Sequence, residues 1–167
     1  MVTVLWRLKA VKPLSDISLF PDQCDADSVL AEWSWRVPEN YHPILLSLFG
    51  DWFFLDSAGR VHILDITSSE LNEIAASETE FFAMLETEEQ RCEWLRAHVV
   101  EAAEKAGIQR SVSQCFAFRT PLMMGGKYAV SNILPWDFAK YQIGTSKVLR
   151  QLVDVPIGTQ VVIKRKD

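Results

Sequence analysis

Between residues 51 and 66 the chain has little choice but to fold back on itself. Trp52, Phe53, Phe54 and Leu55 form an aromatic-rich apolar run. Ser57-Ala58-Gly59-Arg60 supplies turn residues, and Val61 to Ile66 returns as a second apolar run. Aromatic and β-branched side chains favour extended backbone, and Gly59 can take the positive φ that a tight connection needs. The pattern predicts a β-hairpin. Apolar residues occupy neighbouring as well as alternate positions in both strands, so both faces are expected to be at least partly covered. A hairpin covered on both faces needs further strands and helices elsewhere in the chain.

Two capping boxes follow it. Ser77-Glu78-Thr79-Glu80 and Thr87-Glu88-Glu89-Gln90 each place a hydroxyl three residues before a Glu or Gln. The hydroxyl can accept from a free backbone N–H while the later side chain reaches back. They predict a short helix over 78–86 and a long one over 88–106. The long helix would bury Leu95, Val99, Ala102 and Ala106 at three- and four-residue spacing and close on Gly107. Upstream, residues 28–36 read as a short helix with Asp27 or Ser28 as N-cap and Val29, Leu30 and Trp33 apolar. Pro38 breaks that segment, and Pro43 opens a further helix through Leu48, stopped by Gly50. Residues 1–27, broken by Pro13 and Pro21, read as irregular or strand-like.

Downstream, 114–118 reads as a strand, 121–126 as a loop turning at Gly125-Gly126, 136–141 as a short helix and 159–164 as a final strand. Residues 144–153 fit helix or strand equally. Taken together this is an α+β chain: a single domain with a mostly antiparallel sheet packed against helices. At 167 residues, 49% apolar and 11% aromatic, it has the material for one real core.

Composition also excludes classes. No apolar run approaches the roughly 20 residues that span a bilayer. Near Met1 the basic residues follow the apolar ones, the reverse of a secretory leader, so a cytoplasmic location is expected. Cys24, Cys92 and Cys115 are far apart, with no CxxC pair, and read as free buried thiols; no metal and no cofactor are expected. The net charge of −5 is uneven. Residues 16–107 hold 19 acidic and 5 basic residues, whereas residues 108–167 hold 9 basic and 3 acidic ones. An acidic body repels nucleic-acid phosphates and suits a basic protein partner, although ordinary solvated helix faces explain it too.

Catalytic constellations are hard to find. His42, His62 and His98 lack a second ligand-type residue at metal spacing. Cys115 and His62 would make a nucleophile pair only if their strands were neighbours, and Cys115 lies among Phe116, Ala117 and Phe118, which reads as core. Gly125-Gly126-Lys127 lacks the remaining positions of a phosphate loop. Asp51 and Asp56 stand at opposite ends of a strand, and Glu88 and Glu89 open a helix whose dipole favours them. Lys164-Arg165-Lys166 is too short for a nucleic-acid patch. No catalytic residue is assigned, and the chain reads as a non-enzymatic binding protein.

Several motifs together resemble a known family. They are Gly50-Asp51-Trp52-Phe53-Phe54-Leu55-Asp56 with Gly59-Arg60-Val61 and Leu64-Asp65, then Phe82, then Gln114-Cys115-Phe116-Ala117-Phe118. Pro121-Leu122-Met123-Met124-Gly125-Gly126-Lys127-Tyr128, Asn132, Gln151-Leu152-Val153-Asp154 and Pro156-Ile157-Gly158-Thr159 continue in order. This series is similar to the C-terminal domain of type VI secretion immunity proteins that protect against a DNase toxin, a SUKH-like immunity fold. It spans roughly 37–163; residues 1–36 match no part of it, and the chain lacks a clear separate N-terminal domain. The resemblance implies a bacterial cytoplasmic protein that binds and inhibits a cognate toxin, and it carries no catalytic residues. A general scaffold or regulatory module of the same fold, or an enzyme with a scattered site, are the competing readings. Trp33, Trp35, Trp52 and Trp136 are the candidate anchors for a partner, since Trp dominates interface hot spots.

Overall fold

The computed structural model describes residues 12–156 and 158–161. Five strands follow one another as an antiparallel meander: β1 (Ser18–Leu19), β2 (His42–Ser47), β3 (Trp52–Leu55), β4 (Val61–Asp65) and β5 (Glu70–Ala75). A second, two-stranded antiparallel sheet pairs β6 (Gln114–Phe118) with β7 (Ile133–Asp137). The Phe116 N–H donates to the Leu48 carbonyl at 2.8 Å and ties the small sheet to the chain leaving β2. The helices are α1 (Ala26–Ala31), α2 (Glu78–Met84), α3 (Glu88–Trp94), α4 (Ala97–Lys105) and α5 (Phe138–Leu152).

The expected hairpin is β3–β4, in register from Trp52↔Leu64 to Leu55↔Val61. Both of its faces are covered. Trp52, Phe53 and Phe54 are all fully buried, and because strand side chains alternate they point to opposite sides. Phe53 meets Phe81 of α2 at 5.2 Å between ring centroids, and Phe81 stacks on Trp94 of α3 at 5.5 Å. Trp52 meets Phe138 at the start of α5 at 5.9 Å. The sheet is thus the middle layer between α2–α3 and α5. Truncating Phe53 to Ala would open a void at that junction, worth about 3–5 kcal/mol.

Three expectations need correcting, and one open choice is decided. Residues 43–47 lie in strand β2, not in a helix, and Leu48 begins the turn that follows. Pro43 is compatible with a strand here because β1 reaches only Leu46 and Ser47, and the β2–β3 register shifts between Pro43 and Leu45. A bulge beside an uncovered segment is where a residue without an N–H fits. The 88–106 helix is two helices, α3 and α4, broken at Arg96, which takes the left-handed conformation with φ +54. That conformation costs an ordinary residue about 1–2 kcal/mol. Here the break turns the guanidinium inward, onto Asp51 at 3.2 Å and Asp65 at 3.6 Å. Trp136 belongs to β7 rather than to a helix, and α5 starts two residues later, capped by Asp137, whose carboxylate accepts from the Lys140 N–H at 2.9 Å. Residues 144–153, left open between helix and strand, are the body of α5 up to Leu152.

Other boundaries shift slightly. The first helix covers 26–31, not 28–36, and makes no side-chain cap bond; α2 stops at Met84. Of the two capping boxes, Ser77 accepts from the Glu80 N–H, and Glu80 reaches back to the Ala76 N–H. Thr87 accepts from the Gln90 N–H at 3.3 Å, but Gln90 Oε1 has no partner among the described residues. Gly107 closes α4 at φ +79, as its position requires. Strand β5, unforeseen from sequence, extends the hairpin. Residues 159–161 of the expected final strand are not in a strand, and 162–164 lie outside the described residues, as does Lys164-Arg165-Lys166.

Candidate docking groove

Three polar clusters hold the molecule's interior, and none has the geometry of a catalytic site. In the first, the Asp56 carboxylate accepts from the backbone N–H groups of Ala58 and Arg60 and from the Arg60 side chain, while His62 Nε2 lies 3.0 Å away. The Arg60 backbone N–H, with His62 and the other donors, holds this carboxyl down at about 2. The Tyr41 hydroxyl approaches the same Nε2 at 3.4 Å. A proton relay needs a different ring nitrogen for each partner, so Tyr41–His62–Asp56 fastens the hairpin turn to the sheet. In the second cluster Asp51 accepts from the Ser47 hydroxyl, the Ile66 N–H and Arg96. These two carboxylates, counted in the acidic body, are internal and compensated.

The third cluster fixes α5. Gln142 is fully buried. Its Oε1 accepts from Trp33 Nε1 at 3.0 Å and Trp52 Nε1 at 3.1 Å, and its Nε2 donates to the Gly50 carbonyl at 2.7 Å. One turn on, the Ser146 hydroxyl accepts from Trp35 Nε1 at 2.8 Å and donates to the Glu32 carbonyl at 2.7 Å. Three of the four candidate tryptophan anchors are therefore structural: Trp33 and Trp52 are fully buried, and Trp35 is half-buried and bonded. Trp136 remains, 42% exposed.

Trp136 stands on the wall of a groove of about 440 Å³ between the 119–126 loop, β7 and the outer face of α5. Met123 (41% exposed) and Met124 (48%) form the loop side, and Lys140, Gly144 and Val148 run along the helix side. Spacing of four residues places those three on one helical face. The loop is built to hold its shape. Asn132, buried, accepts from the Thr120 N–H and donates to the carbonyls of Thr120 and Lys127, each at 2.9 Å, so one amide ties both ends together. Gly125 turns at φ +83, and a Cβ on Gly126 would collide with the Thr120 carbonyl. The Phe118 and Tyr128 rings meet at 5.7 Å, and Arg96 lies 5.8 Å over Tyr128. The Tyr141 hydroxyl, half-buried at the groove, has its pKa raised chiefly by burial.

Charge divides as the sequence indicates. Glu86, Glu88, Glu89 and Glu93 are exposed on α2–α3 and the turn joining them. Among the described residues every cation in an ion pair lies between Lys12 and Lys105, whereas Arg119, Lys127, Lys140 and Lys147 are exposed and paired with no carboxylate. Cys115 and His62 do not pair, in keeping with the reading of Cys115 as core: Cys115 is in the small sheet, and His62, in the large one, is engaged by Asp56 and Tyr41. Burial pushes the Cys115 thiol up to about 12 and the Cys24 thiol up to about 11, away from thiolate chemistry. No group of His, Cys, Asp and Glu able to hold a metal occurs among the described residues.

Residues 75–143 match the family model of the type VI secretion system (T6SS) immunity protein Tdi1, C-terminal. The motifs set out above resemble this same family; the match covers less than half of the chain. Comparison with curated proteins returns no match. The Tdi1 C-terminal match runs from the last residue of β5 into α5. It includes β6, the 119–126 loop, Asn132 and Trp136, but not the 51–66 hairpin or residues 151–159. The groove was not foreseen as a unit. Its loop was read as a turn, and Trp136 was one of four equal candidates. The available signal was Met123-Met124 beside Gly125-Gly126: large apolar residues in a turn, where burial is hard to achieve.

Proposed function

We propose that this chain is an immunity protein that neutralises a cognate secreted toxin by binding it in the cytoplasm, without covalent chemistry. The match over 75–143 to a T6SS immunity protein carries the reading. The polar clusters agree with it: each is closed on itself, and burial holds the proton on the Cys24 and Cys115 thiols. No helix among the described residues is long and apolar enough to cross a membrane. A nuclease toxin would present a basic cleft for phosphate. The exposed glutamates of α2–α3 would steer such a partner, raising the association rate more than the affinity. The reading implies a one-to-one complex whose association slows as salt rises while its dissociation changes less.

Co-expression with the toxin gene beside it is the direct test. Cells survive if the chain binds and silences the toxin stoichiometrically. Death despite folded protein, or silencing at substoichiometric dose through modification of the toxin, contradicts the proposal.

A further inference from the structure

The groove beside α5 combines features rarely found together on an isolated surface. Its rim exposes Met123, Met124 and Trp136, large apolar side chains in contact with water. Unbranched Met adapts to the shape of a partner, and Trp is the residue most often found at the centre of an interface. The loop bearing the methionines is fixed by Asn132 and Gly126, and α5 is fixed from behind by Gln142 and Ser146. A partner would therefore meet walls already in place and would spend little free energy on ordering them. Gly144, in the middle of α5, lines this groove, and a Cβ built there meets nothing within 4 Å. Glycine inside a helix costs roughly 0.5–1 kcal/mol relative to alanine. Internal packing does not demand it, since the space beyond it is open. Its effect is to let another backbone come close to the helix.

Charge identifies the occupant. Two charged side chains line the groove, Arg119 and Lys140, both cationic, exposed and paired with no carboxylate among the described residues. No acidic residue lines it, in a chain whose net charge is −5. We propose that the groove is the docking site for a segment of the cognate toxin that is apolar at its centre and carries carboxylates on its flank. The apolar side chains lie between Trp136 and Met123–Met124, the segment's backbone passes over Gly144, and its carboxylates meet Arg119 and Lys140. This rests on the immunity reading and specifies its binding face. The acidic α2–α3 surface steers the encounter, and the groove holds the complex.

The test uses the purified full chain and a catalytically inactive form of the toxin encoded beside it, with affinity measured by calorimetry. Gly144→Leu places a side chain in the groove from a position where its Cβ meets nothing within 4 Å, so this variant should melt no lower than the parent yet bind at least 100-fold more weakly. The Arg119→Glu, Lys140→Glu double variant should bind at least 10-fold more weakly. Reversing Glu86, Glu88 and Glu89 to Lys should slow association several-fold and leave dissociation close to the parent's. If Gly144→Leu and the double variant bind as the parent does while the glutamate reversals abolish binding, the groove proposal is overturned and the immunity reading stands. If the parent chain itself fails to bind, both fall. If the parent dimerises with rising concentration and Gly144→Leu does not, the occupant is a second copy, and the proposal is also overturned.

Discussion

The two faces of α5 are made of different materials. The inward face, at Gln142, Ser146 and Leu149, is buried, and its polar atoms are bonded to two separate segments of the chain, 32–35 and 50–52. The outward face, at Lys140, Gly144 and Val148, borders open space. The inward face thus buries two polar side chains, and the outward face carries no side chain at its midpoint. Burial and hydrophobicity are decoupled on this helix. What holds it is the complete pairing of a few amides, hydroxyls and indoles, because a buried polar group left unpaired costs about 1–3 kcal/mol.

That contrast can be broken from the inside. Gln142→Ala strands two indole N–H groups and the Gly50 carbonyl at once, and should lower the unfolding free energy by about 3 kcal/mol or more, measured by urea denaturation. A loss below about 1 kcal/mol would mean that water enters and replaces the amide. Next in size is Gly126→Ala, on the loop facing the outer side. Its Cβ cannot coexist with the Thr120 carbonyl, so the loop must move, at a cost of about 1–3 kcal/mol. The same variant should weaken toxin binding even at temperatures where the protein remains fully folded.

Acid sharpens the comparison by separating the two kinds of polar cluster. The inward bonds of α5 involve no ionisable side chain. The Asp56 cluster does, and its carboxyl is held at about 2 from an ordinary 3.8. A depressed folded-state pKa stabilises the fold above the unfolded value, and that stability is lost as pH falls through the folded one. Between about pH 4 and pH 2 the hairpin turn should therefore loosen first, seen as faster amide exchange at Ala58 and Arg60 while amides of α5 stay protected. Asp56→Asn should flatten that part of the pH profile. The smallest effect has the opposite sign. Gly144→Ala should raise stability by roughly 0.5–1 kcal/mol, since the new methyl meets nothing; a loss there would mean the groove is already filled.

The same contrast explains what could be read in advance. The β3–β4 hairpin was legible because its run of aromatics and its turn glycine are local signals, and Ser77 and Gly107 were legible as helix ends for the same reason. α5 is ambiguous over 144–153 because, after Phe138, its buried positions are Gln142, Ser146 and Leu149, two of them polar, so apolar periodicity is broken where the helix packs. The break at Arg96 was invisible because its cause, Asp51, is far away in sequence. β2 was mistaken for a helix because Pro43 at the start of an apolar run is a common helix opening, and only the bulge and the short reach of β1 make it acceptable in a strand. The groove needs the tertiary structure, since β7 and α5 are consecutive but no sequence motif brings the 119–126 loop against them.

Gln142 has one further consequence. By placing Trp33 and Trp52 in a dry setting, bonded to a single amide oxygen, it gives those indoles a constant dielectric surrounding as long as α5 stays docked. Trp136, half in water on the groove wall, has no such shelter. With Trp6, Trp35 and Trp94 replaced by Phe, the emission of the first pair should track unfolding and be indifferent to a ligand. That of Trp136 should shift to the blue when the groove is covered and be quenched by iodide only when it is not. The protein thus carries its own two-channel optical assay, one channel for integrity and one for occupancy, with no label attached.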